Sequence, residues 1–160
     1  GESVPELRAH KEAAMEFIAR LVTALVALHP WHSLIVHFPV ALSTVGLFFI
    51  SLALVRRSEL YEHFAYHNIL LVAISSTFAG LTGLRDHLVR FEGDTPYVNV
   101  KIFLGISLLL LASVTALARR RDLELFWDPS RRILYVAAYT GCFLLAAALG
   151  FVGGSILYGF

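Results

Sequence analysis

At 160 residues the chain is 58% hydrophobic and only 16% charged, with a mean hydropathy of +0.71. A soluble domain of this size carries about a quarter charged residues. The composition therefore excludes one large water-soluble core and points to several membrane spans, with charges clustered between apolar runs. A net charge of +1 gives no bulk attraction to nucleic acid, and the single cysteine, Cys142, excludes an internal disulfide and a cysteine-based zinc site.

Residues 1–28 form a polar segment followed by an amphipathic helix. Ser3 is placed to cap a helix start, with Pro5 in the first turn and Glu6 three residues on. From residue 15 to 28, Met15, Ile18, Val22 and Leu25 share one face, and Glu16, Arg20 and Thr23 another. Fourteen helical residues cover about 21 Å, short of the roughly 30 Å hydrocarbon core, so an interfacial helix is expected and a tilted fifth span is the rival. The acidic start lacks a small-residue cleavage pattern, so no cleavable secretory signal is expected.

Four apolar segments follow, at about 33–55, 66–84, 98–118 and 133–152. Each is long enough to cross a bilayer, and together they predict an all-α, four-helix membrane bundle over 29–160. Arg56, Arg57, Arg119, Arg120, Arg121, Arg131 and Arg132 gather on one side; Arg85, Arg90 and Lys101, with Glu92 and Asp94 nearby, lie on the other. The positive-inside rule puts the arginine-rich loops in the cytoplasm and the other end outward. Ser76 with Gly80, Ala79 with Gly83, and Ala146 with Gly150 and Gly154 make small-residue stripes. Such stripes serve helix packing, within the bundle or in an oligomer.

The candidate chemistry lies in histidines. His29, His32 and His37 stand with Pro30 and Pro39 where the first span begins. Pro39 removes the hydrogen bond that the Ile35 carbonyl would accept, so a broken start with a kink just below His37 is expected. The second span ends at the same side with Arg85, Asp86 and His87. A carboxylate there would fix an imidazole tautomer. At the other end His63 and His67, four apart, share a helix face near Glu59 and Glu62. That pair is a possible metal clip, or more simply a solvated helix end. No histidine follows His87, so a single chain offers at most one bis-histidine haem, from the first two spans at the outer corner. The simpler reading of that corner is that its imidazoles satisfy backbone carbonyls at a helix start.

The run from His29 to Leu42, HPWHSLIVHFPVAL, resembles the HPLHPLLVHFPIAL signature of a bacterial membrane family known as domain of unknown function 2231. Thr82-Gly83-Leu84-Arg85-Asp86 resembles its tGlxD turn, and Gly150 to Tyr158 its GxxGGxLvY ending. The likeness covers about 29–158 and implies a four-span bundle. It singles out His29, Pro30, His32, His37, Pro39, Gly83, Asp86, Gly153 and Gly154. Ser33 replaces the usual second proline, and Tyr97-Val-Asn-Val-Lys101 stands where many relatives carry a histidine. Related modules are joined to Rieske iron–sulfur or c-type cytochrome domains, which implies membrane redox work.

The leading expectation is a bacterial inner-membrane subunit of a respiratory or photosynthetic electron-transfer assembly, rather than a complete enzyme. It would bind b-type haem through His37 and His87, or shape a quinone site at its outward face. His29, His32, Asp86 and Arg85 would support or relay protons. Other membrane redox subunits, a cytochrome or an iron–sulfur protein would be its partners. One alternative is a non-catalytic accessory subunit. Another is a zinc- or copper-binding or transport protein using the outer histidines, although one Met and one Cys disfavour copper(I).

Overall fold

The computed structural model describes residues 4–23, 31–89 and 97–158, all organised by helices. Ser3, His29, Pro30, Arg90, Glu92 and Asp94 lie outside the described residues. The chain divides into two units, residues 1–31 and 32–160.

In the first unit, α1 runs Val4–Thr23, with Pro5 at its second position, where a missing N–H costs nothing. Arg20 pairs with Glu16 one turn back, at 2.5 Å, on an exposed face. The helix carries Glu6, Arg8, Lys11, Glu12, Glu16 and Arg20, and it is not among the helices long and apolar enough to cross a membrane.

The second unit holds most of α2 (Trp31–Ile35), then α3 (His37–Arg56), α4 (Glu59–Val89), α5 (Val98–Arg121) and α6 (Pro129–Tyr158). Four stretches are long and apolar enough to span: Trp31–Arg56, Glu59–Leu88, Val98–Arg121 and Pro129–Ser155. Each helix from α3 to α6 packs on its sequence neighbours, and α6 closes on α3. The result is an up-down-up-down ring. One end gathers α2, the start of α3 and the end of α4; the other gathers the arginines.

Between α2 and α3, Val36 keeps a right-handed helical backbone (φ −64°, ψ −20°) and its N–H bonds the His32 carbonyl at 3.0 Å, so the expected break beside His37 does not interrupt the span Trp31–Arg56. Pro39 is buried in the first turn of α3. The helices also outrun the apolar segments. α4 begins at Glu59, seven residues before the expected start, because its first turn is held by side chains described below. α3 reverses into α4 through Arg57, which takes a left-handed conformation (φ 49°) and returns its N–H to the Ala53 carbonyl. Asp128 caps α6, accepting the Ser130 N–H at 2.9 Å, while Arg131 bridges Asp128 and Asp122.

The packing is small inside and large outside. Ala53, Ala65, Ala112 and Ala146 are fully buried, whereas Phe103, Phe151 and Ile133 are at least 70% exposed. In water such an apolar surface would aggregate; in lipid it is the expected outer face. At Gly46, where α3 meets α4 and α6, a β-carbon would make ordinary contact, 3.4 Å from Asn68 and 3.6 Å from the Tyr139 ring. Of the expected stripes, Ser76 and Ala79 are buried and Gly83 faces His32. Ala146 enters the core, but a β-carbon on Gly150, Gly153 or Gly154 would meet nothing within 4 Å.

Candidate functional site

Buried residues on α4 trace one stripe: Glu62, Ala65, Ile69, Val72, Ala73, Ser76, Ala79 and Asp86. A carboxylate stands at each end. Twenty-four residues of helix separate them by about 36 Å, close to the depth of a bilayer. Ionisable groups are held at such positions only against partners or for function, and the two ends differ in how they are partnered.

At the histidine end, the His32 ring from α2 lies over Gly83 of α4. A β-carbon on Gly83 would come within 2.8 Å of the ring, so glycine is what admits it. His32 Nδ1 is 3.3 Å from Thr82 Oγ1. The Thr82 hydroxyl donates back to the Phe78 and Ala79 carbonyls at 2.9 and 3.1 Å. The imidazole tautomer sets which of the two, His32 Nδ1 or Thr82 Oγ1, donates in that contact. Asp86, nine-tenths buried, follows one turn on. Arg85 approaches it at 3.6 Å from a half-exposed position. Lys101 of α5 lies within electrostatic reach of both Asp86 and His32. Three helices thus bring an imidazole, a carboxylate and an ammonium to one end of the bundle.

The other predicted residues lie differently. His37 is on the exposed face of α3, and its Nδ1 donates to the Ser33 carbonyl of its own chain turn. That bond fixes the tautomer with Nε2 free to accept or ligate. His87 is partly buried near the end of α4 and has a partner of its own. His63 and His67 are exposed, their rings 6.0 Å apart, with His67 Nδ1 donating to the His63 carbonyl at 2.7 Å. Among the described residues no three His, Cys, Asp or Glu side chains gather as a metal site.

At the arginine end the structure holds a cluster that hydropathy does not anticipate. Arg119 Nε and Nη2 donate to the two oxygens of Glu62 at 2.6 and 2.8 Å, a bidentate pair with Glu62 1% and Arg119 7% exposed. The Tyr135 hydroxyl donates to the same Glu62 at 3.1 Å and meets the Tyr139 hydroxyl at 3.0 Å. Phe126 from the α5–α6 loop packs edge-on against Tyr135. Glu62 is therefore no part of a solvated helix end. One signal for it does exist: Glu62 falls in register with Ala65, Ile69 and Val72, and Arg119 with Leu108, Ala112 and Thr115.

A closed ring of four apolar helices with ionisable groups held inside both ends defines a multi-pass membrane protein. The chain belongs to the family of predicted membrane proteins designated DUF2231, whose model matches residues 28–160. No curated protein and no solved structure matches it.

Proposed function

We propose that the chain is an integral membrane subunit of an electron-transfer assembly whose histidine end exchanges protons with a quinol or holds a b-type haem. The observation that carries this reading is the convergence of His32, Asp86 and Lys101 from α2, α4 and α5 around Thr82 and Gly83. Quinol oxidation releases protons, and imidazole and carboxylate groups are able to accept them. The residues suit a haem ligand as well: His37 has its Nδ1 tied to a carbonyl and its Nε2 free, the arrangement of a ligating histidine. His87 is the second imidazole at that end. A haem there would supply one-electron transfer. In this reading the arginine-rich end faces the cytoplasm of a bacterial cell. The open faces of Gly150 and Gly154 meet a neighbouring redox subunit or a second copy.

A second reading is favoured by the seating of His32 on Gly83. The same contact serves a non-catalytic accessory subunit, in which the corner only locks the first span against the second.

A dithionite-reduced minus oxidised spectrum of the protein purified in mild detergent separates the two. A sharp α-band that His37→Ala or His87→Ala removes, and that His63→Ala and His67→Ala retain, supports the haem form. Co-purifying quinone, displaced in His32→Ala, supports the quinol form. A flat spectrum without quinone, from folded protein that has kept its cofactors through purification, sinks the redox reading and leaves the accessory subunit. Stoichiometric zinc or copper on elemental analysis would favour the metal-binding alternative instead.

A further inference from the structure

The arginine end has a feature outside the site above. A groove of about 390 Å³ runs between the end of α3 and the start of α6, lined by Leu54, Arg132, Ile133, Val136, Ala137 and Thr140. Its walls are apolar except at one end, where Arg132 stands at the mouth. From Arg132 to Thr140 the helix rises about 12 Å, so the groove runs from the membrane interface toward the hydrocarbon. The Thr140 hydroxyl donates to the Val136 carbonyl at 3.4 Å.

The charges at this end divide into two sets. Arg119 is paired with Glu62, and Arg131 with Asp122 and Asp128. Among the described residues, Arg56, Arg57, Arg120, Arg121 and Arg132 have no acidic partner, and of these Arg132 lines the groove. Arg56 and Arg57 close α3 two and three residues after Leu54, the α3 residue in the groove. An apolar slot that carries the unpaired guanidinium of Arg132 is complementary to a molecule with an anionic head and a hydrocarbon tail. Arginine binds phosphate oxygens in a planar, bidentate fashion.

We propose that this groove binds an anionic phospholipid, with the phosphate on Arg132 and an acyl chain along Ile133, Val136 and Ala137. Basic pockets between membrane helices are suited to such headgroups. The site is built by α3 and α6 alone and stands apart from the histidine end.

The test uses the full chain in mild detergent, with native mass spectrometry reading retained phosphatidylglycerol against phosphatidylcholine at matched concentrations. The expected result is preferential retention of phosphatidylglycerol. Arg132→Gln should weaken it roughly tenfold, the size of one lost charged hydrogen bond. Ala137→Phe, which fills the groove, should reduce retention of the lipid while the protein stays helical. Arg120→Gln, a charge change at the same end outside the groove, should leave it unchanged. Equal retention of the two lipids, equal weakening by Arg120→Gln, or full retention in Ala137→Phe would each overturn the proposal. So would displacement of the lipid by inorganic phosphate alone. If Arg132→Gln fails to fold, the Ala137→Phe comparison decides.

Discussion

Arg119 and Glu62 meet side-on in the bundle interior, two parallel hydrogen bonds of 2.6 and 2.8 Å joining α5 to α4. Breaking a buried pair leaves the other charge without compensation. Arg119→Met should therefore cost about 3–5 kcal/mol, and the double change Glu62→Met with Arg119→Met should recover most of it. Unfolding titrations in mixed micelles measure both. A double variant as unstable as the single one would mean that the cluster acts through Tyr135 rather than through charge.

Two glycines on α4 should respond in opposite directions to the same substitution. A β-carbon on Gly80 meets nothing within 4 Å, so Gly80→Ala should stabilise the helix by about 0.5–1 kcal/mol. On Gly83 it strikes His32, so Gly83→Ala should destabilise by about 1–3 kcal/mol. Adding His32→Ala to Gly83→Ala should relieve that clash. A double-mutant cycle that shows no coupling would place His32 elsewhere.

Asp128 lies outside the spans. Donors from Ser130 and Arg131 hold its carboxyl down at about 2, against an ordinary 3.8. A folded value below the unfolded one means that the stabilisation is complete above about 3.8 and fades as pH falls toward 2. Asp128→Asn keeps a capping side chain but removes the charge. Its melting temperature should lie below that of the parent at neutral pH and converge with it in acid. Parallel curves across that range would count against the carboxylate as the cause.

Ser76 carries a buried hydroxyl for which the described residues offer no partner. Removing an unpaired buried polar atom relieves its desolvation, so Ser76→Ala should be neutral or stabilising by up to about 1 kcal/mol. A clear loss of stability would show that the hydroxyl is satisfied by something that enters the bundle, water included.

Much of the fold is legible in the order of the residues. Apolar length marks the four spans, because a segment must be about twenty residues long to cross, and that length is visible in one dimension. The start of α1 near Val4 follows from Pro5. The helix ends are less legible. Glu62 and Arg119 read as interfacial charges since hydropathy scores each residue alone, whereas burial depends on who faces it.

The same division runs through the candidate site. A multi-pass helical membrane protein, its histidine corner and the arginine-rich opposite end are readable from residue order, because composition and run length act locally. Which polar groups meet is settled by packing. It seated His32 on Gly83 beside Thr82, brought Lys101 within reach of Asp86, turned His37 outward, and joined Glu62 to Arg119 across 57 residues. Those pairings come from the ring order of the helices and the rotation of each about its axis. Both are fixed by how small side chains pack between helices, and no single stretch of sequence contains that information.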